Sequence, residues 1–106
     1  MTSKSPITTE ADWLDNEHAG DLLLSEFLEP ENLSVAQLAE AIDIDPDRIH
    51  AVIDGRRSVD AETDLRLARY FGLSEGFFLR LQDRYAIVAA KRALAGALDR
   101  IVPRPA

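Results

Sequence analysis

The stretch Ser34–Gly55 reads SVAQLAEAIDIDPDRIHAVIDG. Val35, Leu38, Ala39 and Ile42 recur at one-turn spacing, which predicts an amphipathic helix capped by Ser34. Asp43 and Ile44 make a short turn. Asp45 then caps a second short helix, with Pro46 at its first position, where no amide hydrogen is needed. Ile49, Val52 and Ile53 form its apolar side, and Gly55 ends it in the left-handed geometry that glycine adopts at little cost. Two short helices joined by a tight turn predict a helix-turn-helix over about residues 34–55. Its second helix presents a polar face and is of a size to enter a major groove about 12 Å wide.

On either side of this unit the apolar periodicity stays helical. Leu23, Leu24, Phe27 and Leu28 predict a first helix from Gly20 to Glu29, stopped by Pro30. Downstream, Asp60 caps a fourth helix, with Glu62 and Asp64 in its first turn, where negative charge suits the dipole. Leu65, Leu67, Ala68 and Phe71 bury one side of it, and Gly72 ends it. Ser74 is the expected cap of a fifth helix, with Glu75 in its first turn and Phe77, Phe78, Leu81, Tyr85 and Val88 along one stripe. The alanine-rich stretch Ala86–Leu98 has the propensity to prolong that helix to about Ile101. Alternating strand patterns and hairpin turns are missing, so the expected class is all-α, five helices with an extended C-terminal helix. Residues 1–16 read as an acidic N-terminal tail, 17–101 as the helix-turn-helix domain and 102–106 as a C-terminal tail.

The 106 residues, 46% apolar and 29% charged, fit one small globular domain whose modest core would gain from a partner subunit. With no cysteine, disulfides, thiolate zinc sites and cysteine nucleophiles are excluded. His18 and His50 lie in different helical contexts with no third orienting group. Phosphate-cradling glycine loops are also missing, so no enzyme, metal, cofactor or small-molecule substrate is expected. No apolar run approaches about 18 residues, and MTSKSPITTEADW lacks the core of a signal peptide, so the expected location is the cytoplasm, without a membrane partner. The net charge of −7 is unevenly divided. Residues 1–47 hold twelve acids and one base, Lys4, for −11; residues 48–106 hold seven acids and eleven bases, for +4. Two surfaces with different partners, or an acidic solubilising end, both fit that asymmetry.

The segments GDLLLSEFLEPENLSVAQLAEAI, DPDRIHAVIDGRRSVDAETDLRLARYFGLSEGFFLRLQ and the following Tyr85 resemble the HigA/VapI-type antitoxins of the Cro/CI-repressor-like (XRE) helix-turn-helix family. The resemblance covers roughly residues 17–92. The strings DGRRSVDAETDLRLARYFG and SEGFFLRLQ are its most specific parts. His18-Ala19-Gly20 stands where the family leader usually reads His-Pro-Gly. The resemblance implies a repressor-like DNA-binding domain, a homodimer that represses its own operon at operator DNA, and a cognate toxin that it neutralises, typically a RelE/HigB-like mRNA interferase.

On that reading the DNA-binding set is Ser34, Gln37, Pro46, Asp47, Arg48, His50, Ala51, Arg56 and Arg57. A helical wheel puts Asp47, Ala51 and Asp54 outward on the second helix of the motif, flanked by Arg48 and His50. Family members commonly carry Arg at the place of Asp47 and Asn at that of Asp54, and glycine in the turn where Asp43 stands. An acid there can accept only from cytosine N4 or repel phosphate. Arg56 and Arg57 follow the helix end and are placed for backbone phosphates; Arg66 and Arg69 are further candidates, although Glu62 is spaced to pair with Arg66. The stripe Phe77, Phe78, Leu81, Tyr85 and Val88 is the expected dimer interface. Trp13, Glu17 and Asp21 are the expected toxin contacts, because interferases are basic and Trp is a favoured anchor. The alternative is an interaction protein that keeps the helix-turn-helix as a scaffold with DNA contact weak or lost. A stand-alone repressor is a third possibility.

Overall fold

The computed structural model describes residues 18–105, and among these the chain forms five helices and no strand. His18 opens the described fold: its Nδ1 accepts the N–H groups of Gly20 (3.0 Å) and Asp21 (3.3 Å) and caps α1, Ala19–Leu22. Helix α1 runs directly into a π-helical turn, Leu23–Leu28. The regular helix expected over Gly20–Glu29 is therefore widened, and the wider turn brings Leu23 and Leu28, five residues apart, into one core.

Helix α2 spans Val35–Ile42 and starts with a reciprocal capping box, Ser34 Oγ accepting from the Gln37 amide (3.0 Å) and Gln37 Oε1 from the Ser34 amide (2.9 Å). The turn after it holds Asp43 at φ 59°, a left-handed position that Asp tolerates better than most side chains. Helix α3, Pro46–Ile53, begins under Asp45, whose Oδ1 accepts from the Asp47 amide (2.9 Å). Helix α4, Ala61–Phe71, is capped by Asp60 through the Thr63 amide (2.8 Å) and closed by Gly72. Helix α5 covers Phe77–Leu94.

Three expectations need correction here. Ser74 does not cap α5; its Oγ accepts from Arg80 Nη2 (2.8 Å), and the helix begins after Gly76, which supplies no side-chain cap. The acceptor comes from α4. Asp64, 1% exposed, takes the Gly76 amide on Oδ2 (2.6 Å) and the Phe78 and Leu79 amides on Oδ1 (2.8 and 3.2 Å). It stands in the first turn of α4, as the sequence reading has it, but inside the core, and the inward side of α4 is Thr63, Asp64, Leu67 and Ala68. Leu65, expected inside, is 47% exposed. Lastly, α5 does not continue to Ile101. It breaks at Ala95 (φ 52°) and Gly96 before a 3-10 turn, Ala97–Arg100. Beyond Val88 the helix has no core left to bury against, and alanine propensity alone does not carry it further.

The core gathers Leu23, Leu28, Leu38, Ile49, Leu67 and Phe78, with the Phe27 ring between Phe71 (4.9 Å) and Phe78 (5.4 Å). Gly20 lets α1 lie directly on the end of α3: a Cβ there would sit 2.0 Å from the Val52 carbonyl oxygen. Gln82 on α5 pins the loop before α4, accepting from the Val59 amide (2.6 Å) and donating to its carbonyl (3.0 Å). None of the described helices is long and apolar enough to cross a membrane.

Two stability measurements follow from these contacts. Asp64→Ala leaves the Gly76, Phe78 and Leu79 amides without their acceptor and is expected to cost about 3 kcal/mol in urea unfolding, with Asp64→Asn, which keeps one acceptor oxygen, losing less. Gly20→Ala is expected to cost about 1–3 kcal/mol through backbone displacement. Gly96→Ala, whose Cβ would meet nothing within 4 Å, should leave the midpoint nearly unchanged.

Candidate nucleic-acid interface

Helix α3 carries Pro46, Asp47, His50 and Asp54 at its exposed side, the last three spaced i, i+3, i+7 along one stripe. Ala51, expected on the same side, is 9% exposed and belongs to the inward face. The reason lies in the backbone after the helix: the Arg56 and Arg57 amides both turn back to the Ala51 carbonyl (2.9 and 3.2 Å), so the chain wraps over that side.

Arg48 also departs from expectation. Its Nη2 lies 2.6 Å from Asp60 Oδ2 at the start of α4, and its Nε is buried without a hydrogen-bond partner. The guanidinium thus joins two helices rather than projecting from the outward stripe. Asp60 is held well below the usual carboxylate range, from 3.8 down to about 2. The Thr63 side-chain hydrogen bond contributes most, followed by the Thr63 amide; partial burial opposes them, and Arg48 adds to the lowering.

Of the remaining arginines, Arg66 pairs with Glu62 (3.1 Å) and donates to the Ile42 carbonyl at the end of α2 (2.9 Å), a structural assignment. Arg56 is exposed and pairs with Asp54 (3.1 Å). Arg57 is exposed and makes no ion pair among the described residues. Arg56 and Arg57 line a notch of about 190 Å³ together with His18, Gly55, Ser58 and Tyr85. Ser34 and Gln37 are exposed at the start of α2, with their side chains engaged in the mutual cap. Arg69 lines a separate groove with Leu65 and Tyr70.

The expected dimer stripe divides in two. Phe78 is 0% exposed and Val88 is buried, so both face the interior of the single chain. Phe77, Leu81 and Tyr85 are half-buried, Tyr85 lying edge-on to His18 (5.9 Å). Ile87 and Leu94, which sequence reasoning did not single out, are exposed on α5, and Leu98 and Ile101 are exposed beyond it. Their spacings of seven, four and three residues were the available signal. Of the expected toxin contacts, Asp21 is exposed near His18 (3.4 Å), while Trp13 and Glu17 lie outside the described residues. Among the described residues no group of three His, Cys, Asp or Glu side chains could hold a metal ion.

This geometry is that of a small all-α helix-turn-helix protein. The chain belongs to the helix-turn-helix family, whose profile matches residues 24–78, and its structural neighbours are HigA-family antitoxins. Virulence-associated protein I of Dichelobacter nodosus is 37% identical to it over 75 residues, spanning 71% of this chain and 69% of that protein. An addiction module antidote protein of the HigA family from Coxiella burnetii superposes with a TM-score of 0.75 at 34% identity, covering 84% of this chain and 98% of that one. The Pseudomonas aeruginosa antitoxin HigA, solved with the higBA promoter, gives 0.75 at 30% identity, covering 85% and 99%.

The Asp60 cluster makes the helix junction sensitive to acid. Because its folded pKa, about 2, lies below the ordinary carboxylate value of 3.8, Asp60 adds stability above about 3.8 that is lost as pH falls toward 2. Urea midpoints measured across that window should fall for the wild type, and less steeply for Asp60→Asn. Parallel curves would show that the Asp60 carboxylate contributes nothing to the junction.

Proposed function

We propose that the protein is the antitoxin of a type II toxin–antitoxin module, which binds its own operator as a homodimer and neutralises a basic RelE/HigB-like mRNA interferase. The observation that carries this reading is the exposed side of α3, flanked by Arg56 and Arg57, in a fold that matches nearly the full length of an antitoxin solved with promoter DNA. In a helix-turn-helix the second helix enters the major groove, and residues just past its end lie along the phosphate backbone. Arg57, and Arg56 once it leaves Asp54, are the phosphate contacts. Arg48 and Arg66 are committed to helix junctions, so the electrostatic footprint is small.

A palindromic operator needs two copies of this unit. The exposed side chains of Ile87 and Leu94, seven residues apart on one face of α5, supply apolar surface for that contact. On the opposite account of charge, residues 18–47 hold eight acids and no Lys or Arg. That surface complements a basic RNA-cleaving partner, with Asp21 at its edge and Trp13 and Glu17 in the preceding segment. A repressor of this kind works in the cytoplasm. A second reading, an antitoxin in which the helix-turn-helix is only scaffold, is favoured by one observation: Asp47 and Asp54 both stand on the outward stripe.

Fluorescence anisotropy on the protein's own upstream DNA, against scrambled DNA at two salt concentrations, separates the two. Specific, salt-dependent binding is expected for the wild type. Arg57→Ala should weaken it about tenfold and reduce the slope of log K against log salt by about 2 per dimer, one phosphate per subunit. Absence of specific binding at either salt would favour the scaffold reading, with toxin capture as the remaining activity.

A further inference from the structure

We propose that Asp47 makes the protein select cytosine at one position of each operator half-site, by accepting a hydrogen bond from the base N4 amino group; the inference rests on the operator-binding reading above. Asp47 is the second residue of α3, and the first turn of a recognition helix is the part that reaches base edges. Its side chain is exposed and makes no hydrogen bond or ion pair among the described residues, so it is available to a ligand. No arginine stands at this end of the stripe: Arg48 is held by Asp60 at the start of α4, and Arg56 lies beyond the far end of α3, beside Asp54. The outward side of α3 therefore lacks the guanidinium that most often reads guanine.

The chemistry of the groove then limits the choice. A carboxylate only accepts. Guanine offers two acceptors there and thymine an acceptor and a methyl group, so both repel it or leave it unpaired. Adenine offers an amino group beside the N7 acceptor, a pattern suited to an amide and not to a carboxylate. Cytosine offers its N4 amino group alone. His50, three residues further on, has one donor and one acceptor when neutral and imposes no single base. Selectivity here comes from rejection as much as attraction, because a desolvated carboxylate opposite the wrong base is left without a partner.

The test is selection from duplexes randomised across the half-site of the upstream DNA, using the full chain as wild type, Asp47→Asn and Asp47→Ala. The wild type is expected to enrich cytosine at one position about tenfold over the other bases. Asp47→Asn should move that preference to adenine, since an amide matches N6 and N7. Asp47→Ala should lose the preference at that position only, which also shows that the variant still folds and binds. A duplex with pyrimidin-2-one, which lacks the N4 amino group, in place of that cytosine should bind the wild type about tenfold more weakly and Asp47→Ala unchanged. The same base preference in all three proteins, or another base enriched by the wild type, overturns the assignment of Asp47 while leaving operator binding intact. No enrichment of any sequence by the wild type overturns the operator-binding reading itself, and this inference with it.

Discussion

Helix α5 starts at Gly76 in left-handed geometry and brings no cap of its own, so its first amides depend on a carboxylate twelve to fifteen residues earlier in the chain. Asp64 supplies both oxygens from inside the core. Fixing that junction fixes α5, and α5 in turn places the parts that matter for the exposed face of α3. Phe78 fills the centre of the core, Gln82 holds both polar groups of Val59, and Tyr85 backs His18 at the head of α1. Val59 leads straight to Asp60, which caps α4 and holds Arg48 of α3. Helix α1, seated on the Val52 carbonyl through Gly20, clamps the other end of α3. Helix α3 has only eight residues, too few to be stable alone, and its orientation is set from both ends by these contacts.

What the sequence made legible follows the range of each interaction. Ser34, Asp45 and Asp60 cap their helices through amides two or three residues away, so their roles could be read locally, as could the terminal Gly72. Asp64 sits in a first turn, where an acid satisfies the dipole rule, and its partners lie beyond a turn that the local rule does not cross. Ser74 satisfied the cap pattern for the same local reason and lost to Asp64 in the fold. The shift from Leu65 to Asp64 on the inward side of α4 is a consequence of that long-range bond. At the candidate interface, the wheel placed Asp47 and Asp54 outward with His50 flanking them, and all three are exposed. It could not show that the chain returns over Ala51, or that Arg48 is drawn to a carboxylate twelve residues on. The π-helical turn likewise has no local mark: Leu23, Leu24, Phe27 and Leu28 read equally well as an α-helical stripe.

Charge poses the harder question, because a chain of net charge −7 is repelled by a polyanion at long range. The arginines do not simply offset this. Arg66 donates to the last turn of α2, and Arg48 neutralises the cap of α4, so two cations that could have added phosphate contacts serve helix ends instead. Such exposed pairs stabilise little individually, yet they fix side chains that would otherwise be free to move to DNA. If the proposed operator binding operates with so few free cations, non-specific affinity must be weak, since that affinity scales with the number of phosphates neutralised. Discrimination is a ratio, and it rises when the denominator falls. An acidic stripe on α3 lowers the denominator further by penalising every groove that does not offer it a donor. On the proposed reading, the arrangement trades binding strength for selectivity, and the acid-rich segment from His18 to Asp47 is the part that would meet the proposed basic partner.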